Sequence, residues 1–239
     1  MPNRLGAARF GRITSLQWHI CHLVATPFTR YFLSHERRLF EKPADRKENH
    51  MATAQKSINL NGVAVNELLS TVEAVKATPS IAKFKFRIRN QWDEGSRNHS
   101  TVTTLRGANQ EISHPAPFRL EADEPAILLG KDLAANPVEY LLHALASCLT
   151  TSMVYHASAR GVQINAIEST FEGDLDLHGF LDLDPKVRKG YQGIRVNFKI
   201  SADVPDDRLQ EIVQLGTGHS PVFDSLTNGV PVSVTAERL

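Results

Sequence analysis

The chain is sparing with the residues that would announce several common kinds of protein. It holds only two cysteines, Cys21 and Cys148, among 239 residues. They lie far apart in stretches of different character, so no disulfide framework is indicated. No cluster of His, Cys or Asp at ligand spacing surrounds Cys148, so no metal and no cofactor is expected. No run of 18 apolar residues exists, and nothing reads as a bilayer span. The start lacks a clean apolar stretch followed by a small-residue cleavage site, so the cytoplasm is the expected compartment. Charge of one sign is missing as well. With 27 basic and 26 acidic residues the net charge is +1, too little for a field that gathers nucleic acid or an anionic membrane. Internal repeats and low-complexity tracts are absent.

What is present suits a folded chain: 41% hydrophobic and 22% charged residues, long enough for a domain of about 150 residues with an extension. Residues 1–50 differ from the rest. Arg4, Arg9, Arg12 and Arg30 all precede the first acid, Glu36. Such an arginine-rich, acid-poor start has the composition of a transit peptide, but the plainer reading is a disordered basic extension, or a start placed ahead of Met51-Ala52-Thr53. Residues 51–79 read as a helical lead-in. Val65, Leu68, Leu69, Val72 and Val75 recur at helical intervals, Asn61 is a candidate cap, and Pro79 a stop.

From residue 80 onward strands and helices follow one another. Phe84, Phe86 and Ile88 alternate with basic residues in the period of a half-buried strand, Asp93-Glu94-Gly95 makes a turn, and His99 to Leu105 returns to form a hairpin. Pro115 and Pro117 mark a link before the short strand Phe118–Ala122. Asn136-Pro137-Val138-Glu139 then opens a helix with a cap, a proline at the first position and a capping-box glutamate. That helix runs to about Arg160, with Gly161 as its stop. Its apolar residues spread round most of the circumference, the mark of a helix buried on several sides. Strands at Ile164–Leu177 and Ile194–Ile200, a helix at Asp206–Leu215 and a final strand at Val230–Thr235 complete an α+β plan. The polar–apolar excursion between residues 178 and 192 is long enough to be functional, with Phe180, Leu181 and Leu183 as a candidate roof over an apolar pocket.

Asn136-Pro137 followed by Cys148 in a small-residue helix, and Ser220-Pro221-Val222 between the later helix and the end, together resemble the signature of the OsmC and organic-hydroperoxide-resistance proteins. The resemblance covers residues 80–239. It implies an OsmC-like fold, antiparallel sheets around a long buried central helix in an intertwined homodimer with sites at the interface. It also implies a peroxidatic thiolate that attacks the O–O bond, a second cysteine that condenses with the resulting sulfenic acid, and an external dithiol reductant. By position Cys148 takes the peroxidatic role. Only the thiolate is a competent nucleophile, and an ordinary thiol, with a pKa near 8.5, is only a few per cent ionised at pH 7. In the family an arginine from the N-terminal hairpin contacts the thiolate and is steered by a glutamate of the Asn-Pro-Glu sequence. Here that glutamate position is Val138. Glu139, one residue on, either substitutes or only caps. Arg97 is the nominated arginine, with Arg87 and Arg89 as rivals.

The second departure concerns the resolving cysteine, whose place is taken by Ser220. A hydroxyl forms no disulfide, so an outside thiol must resolve any sulfenic acid. The expected partners are therefore a small hydrophobic hydroperoxide and a thiol reductant. His219, just before Ser220, is a candidate acid or polar lid at the substrate site, against a plainer role in stabilising its loop. His143 is about 140° round the helix from Cys148 and is not expected to pair with it, whereas Tyr155 shares its face. Two other functions remain open. Val138 and Ser220 favour a non-catalytic protein that binds an apolar molecule at the dimer interface. Cys148, His219 and Asp224 contain the residue types of a hydrolase triad, without an oxyanion-hole signature.

Overall fold

A computed structural model describes residues 58–238; the basic N-terminal extension, Cys21 and the start of the lead-in fall outside them. The chain begins with a two-residue hairpin, β1 (Asn59–Leu60) and β2 (Val63–Ala64). Asn61 and Gly62 turn it, both with positive φ (55° and 78°), the requirement of a tight hairpin turn that Asn-Gly meets best. Asn61 is therefore a turn residue and not the expected helix cap. Helix α1 (Val65–Ala77) starts after it with no side-chain cap. The expected apolar face is kept: Val65 is buried and Leu68, Leu69, Val72 and Val75 are half-buried. Pro79 opens a short 3₁₀ turn (Pro79–Ala82) that ends the lead-in.

An antiparallel sheet follows. Its central strand is β5 (Arg97–Gly107), with β3 (Lys85–Phe86) and β4 (Arg89–Glu94) in succession along one side and β6 (Gln110–Ala122) along the other. Two sequence expectations change here. The alternating segment from Phe84 is broken between β3 and β4, and it is not half-buried: Phe86 is 76% and Trp92 69% exposed. The prolines do not form a link either. They sit inside β6, where Val102 faces Phe118 and Thr104 faces Ser113, so residues 114–117 bulge opposite a single residue of β5. A proline lacks the N–H a ladder needs and is tolerated at a bulge.

The crossover to the next helix is held by Asp123. Its buried carboxylate accepts from Ser96 Oγ (2.7 Å) and from the amides of Glu124 (2.8 Å), Lys131 (3.2 Å) and Leu133 (3.2 Å). Helix α2 (Pro137–Ala159) then runs to Arg160 and stops at Gly161, whose φ of 71° continues no helix. Strands β7 (Ile164–Asp174) and β8 (Gly193–Ala202) form a second antiparallel pair. Between them lies the helical turn α3 (Leu177–Phe180). Helix α4 (Asp206–Gly218) and helix α5 (Pro221–Asn228) end the regular structure. The expected last strand does not form. Val230, Val232 and Val234 keep a strand's alternation, but 60%, 79% and 88% of their surface is exposed, and among the described residues no strand pairs with them. Among the described residues no helix is long and apolar enough to cross a membrane.

The core gathers where α2 meets α4. Met153, Ala157, Val162 and Ile212 are buried together, flanked by Ile164, Phe198, Ile200, Val204 and Val213. Close approach depends on Gly216, where a Cβ would stand 2.2 Å from Met153 Cγ. Among the described residues, α2 fully buries one apolar stripe, Leu145, Leu149, Met153 and Ala157, rather than several sides, and its other faces are half-buried or exposed.

Candidate functional site

The site is built on α2, and α2 is fixed from its first turn. Asn136 Oδ1 accepts from the amides of Val138 (2.9 Å) and Glu139 (3.1 Å), and Glu139 Oε2 accepts from the Asn136 amide at 2.9 Å. The reciprocal pair satisfies amides a helix start would leave bare. Asn136 Nδ2 also donates to Glu124 (2.9 Å), Tyr140 Oη to the Glu121 carbonyl (2.5 Å) and Tyr191 Oη to the Val138 carbonyl (2.9 Å). The first sheet and the 178–192 excursion thus both grip the helix start.

Cys148 lies three turns further on. Its neighbour Leu149 is 1% exposed and turns into the chain. At about 100° per residue, Cys148 falls at the edge of the buried stripe and is half-buried. Leu141 and Tyr155 lie within about 20° of the same angular position, and they are 38% and 50% exposed. The sulfur therefore stands at the border between the packed side of α2 and a side that the described residues leave open.

What covers the sulfur from the packed side is the start of α5. Ser220 is its cap, and Pro221 takes the first helical position. Ser220 is 2% exposed. Its hydroxyl accepts from the Phe223 amide at 3.2 Å and donates to Cys148 Sγ at 3.0 Å. Residues 148 and 220 are thus joined by a direct polar contact.

Beside this contact the His219 and His156 rings meet with centroids 4.5 Å apart and planes tilted by 50°. His219 Nδ1 donates to the Leu215 carbonyl (2.9 Å), a bond that requires the proton on that nitrogen. Burial, then the neighbouring His219 and Arg160, push the His156 pKa down to about 4, so the ring stays neutral near pH 7. His156 was not singled out from the sequence. The available signal was its place two turns after Cys148 on the same helix.

Other nominated residues are held elsewhere in the chain. Arg97 bonds Glu121 (3.1 Å) and approaches Asp93 (3.9 Å). Arg87 forms a fork on Glu111 (2.7 and 3.1 Å), and Arg89 pairs with Thr101 across the ladder. Glu139 is occupied as a cap. Asp224 accepts from Asn228 Nδ2 at 2.6 Å and His219 turns to Leu215, so no Cys–His–Asp relay assembles. His143 lies against Ser147, whose hydroxyl donates to the His143 carbonyl at 2.8 Å. Phe180, Leu181 and Leu183 are 70%, 55% and 67% exposed and roof no pocket among the described residues. A cleft of about 330 Å³ does exist, lined by Asn61, Thr150, Val154 and Ile164 to Ile167, but Thr150 and Val154 lie roughly 120–160° round α2 from Cys148.

Residues 130–235 match the family model described as OsmC-like protein. Solved structures with a similar chain trace include an OsmC-like protein from Mycoplasma pneumoniae, 19% identical, with 59% of this chain and 86% of that one covered at a TM-score of 0.45. An organic hydroperoxide resistance protein from Legionella pneumophila is 14% identical, with 60% and 91% covered at 0.41. An OsmC-like hydroperoxide resistance protein from Jannaschia is 16% identical, with 63% and 88% covered at 0.31. No curated protein matches the chain.

Proposed function

Starting from a chain whose residues 130–235 form an OsmC-like domain, we propose that it reduces organic hydroperoxides through Cys148 as the single peroxidatic residue, as a homodimer, at the expense of an external thiol. One observation carries the reading: a half-buried sulfur, in contact with a buried hydroxyl donor, stands beside the exposed Leu141 and Tyr155 on a helix face that the described residues leave uncovered. The thiolate attacks the distal peroxide oxygen, the O–O bond breaks, and the alkoxide takes a proton to leave as alcohol. Cys148 is then a sulfenic acid. Ser220 cannot condense with it. One outside thiol forms a mixed disulfide and releases water; a second thiol displaces Cys148 as thiolate, leaving the reductant as a disulfide. A reducing compartment such as the cytoplasm supplies that thiol.

The homodimer reading is supported by the surfaces left open. Phe84, Phe86, Ile88, Trp92 and Phe118 are all more than half exposed on or beside one sheet, and Val232 and Val234 line an unpaired extended end. A second copy would bring its own chain to the open side of α2. A guanidinium from that copy fits the family pattern; within the chain Arg97 is engaged by Glu121.

The test is consumption of an alkyl hydroperoxide with dithiothreitol, with mass spectrometry of Cys148 after one equivalent of peroxide. We expect a 16-Da adduct on Cys148 and no turnover by Cys148→Ser; wild-type turnover by that variant refutes the mechanism. The engagement of Arg97 favours a second reading, an apolar-ligand protein in which Cys148 only packs. Alkylation separates the two: a midpoint near about pH 6 supports catalysis, one at or above about 8.5 supports binding.

A further inference from the structure

We propose that Ser220 is a positioning residue for Cys148, its hydroxyl proton held on the sulfur so that the ionised sulfur is favoured. This rests on the reading of Cys148 as a nucleophile and deepens it: the side chain at the position of a missing thiol tunes the remaining one. A serine hydroxyl has one proton to give and two lone pairs. The Phe223 amide occupies a lone pair at 3.2 Å, and Cys148 Sγ lies 3.0 Å away on the donor side. At 2% exposure the hydroxyl is shut off from bulk water that could take its proton instead. The amide of the first turn of α5 fixes the oxygen, and an ionised sulfur, which has no proton of its own to donate, can only accept the hydroxyl's hydrogen.

A donor so placed distinguishes the two states of its acceptor. A hydrogen bond to an ionised acceptor is roughly twice as strong as one to a neutral acceptor, and burial strengthens both it and the polarisation passed on from the Phe223 amide. The same hydroxyl is within reach of an oxygen added to the sulfur, so it also steadies the oxidised state until an outside thiol arrives. The cap and the donor are one atom. Any loosening of α5 withdraws the proton from Cys148.

The experiment is the rate of iodoacetamide alkylation of Cys148 against pH, with the fold followed by circular dichroism. Ser220→Gly removes the hydroxyl while costing a cap only a few tenths of a kcal/mol. It is expected to alkylate about tenfold more slowly at pH 7, with its profile moved to higher pH. Ser220→Asp keeps a cap but offers no proton, and it is expected to be at least as slow. Ser220→Thr retains the hydroxyl and is expected to stay within about threefold of the wild type. A merely structural role predicts the opposite: a loosened α5 exposes the sulfur and speeds alkylation at every pH without moving the profile. Wild-type rate and profile in both Ser220→Gly and Ser220→Asp overturn the proposal, as does a folded Ser220→Thr that is as slow as Ser220→Gly. Should Ser220→Thr fail to fold, the Gly and Asp variants decide between them. Because no peroxide enters this assay, the two failures are told apart: variants with the wild-type profile overturn the role of Ser220 alone, whereas a wild-type protein without peroxide turnover overturns the reading on which it rests.

Discussion

Replacing Ser220 by cysteine turns the Cys148 contact into a measurable cross-link. The two side-chain atoms are 3.0 Å apart across a sequence separation of 72 residues. A disulfide needs about 2.05 Å, so a closure of about 1 Å suffices. In the chain-entropy account a loop of this length destabilises the unfolded state by about 4.4 kcal/mol. Against that stands the loss of the Ser220 cap on α5, about 1 kcal/mol, leaving a net gain of about 3 kcal/mol before strain. With an m-value of about 2 kcal/mol/M, the urea midpoint of oxidised Ser220→Cys lies about 2.2 M above that of its reduced form, which lacks the cap as well, and about 1.5 M above that of the wild type. The assay is urea unfolding at fixed protein concentration, with and without dithiothreitol, beside intact mass, which falls by about 2 Da on closure. A variant that oxidises only between chains, or whose midpoint ignores dithiothreitol, refutes the contact between α2 and α5 on which the site is built.

Ile212, fully buried beside Met153, should cost about 2–5 kcal/mol as Ile212→Ala and only about 0.5–1.5 as Ile212→Val, read from urea midpoints. Asn136→Ala deletes the cap of α2 and its bond to Glu124; a loss of about 1–2 kcal/mol is expected, with peroxide turnover falling further than stability alone accounts for. Acid should destabilise the protein in two steps, read as melting temperature against pH. The His156 pKa is lowered from 6.5 to about 4 by burial first and then by His219 and Arg160. The unfolded chain therefore binds the extra proton, and the cost, absent above about 6.5, is complete below about 4. The Asp123 carboxyl is lowered from 3.8 to about 2, chiefly by Ser96 and then by the amides of Glu124, Leu133 and Lys131, against its own burial. Its stabilisation is present above about 3.8 and is lost as pH falls to about 2. His156→Gln should flatten the first step and leave the second.

What the sequence disclosed was set by range. The start of α2 was legible because a capping box is complete within four residues, and Gly161 marked its end for an equally local reason. Asn61 was misread because asparagine serves helix caps and tight turns alike; the deciding partner was Gly62, next to it. Val230 to Val234 have a strand's alternation, but a strand is a relation between two segments, and the second is not among the described residues. The exposed face of β3 and β4 was hidden for the same reason: periodicity says which side chains share a face and not what that face meets. Cys148 and Ser220, 72 residues apart, could be joined only through family resemblance, since no local rule spans that distance. The tilted ring contact of His156 with His219 had no pattern to announce it.

Residues 123–135 contain little regular structure, with Leu129 and Asp132 in the left-handed region at φ 67° and 55°, a conformation that disfavours side chains larger than glycine. They are nonetheless no slack tether. Because the Asp123 carboxylate holds the Lys131 and Leu133 amides, those protons should exchange with deuterated solvent as slowly as strand amides do, and a protease should find its first cut elsewhere. An irregular crossover with the kinetics of a strand keeps the entry to the cysteine-bearing helix in one register while the sheet ahead of it remains bare.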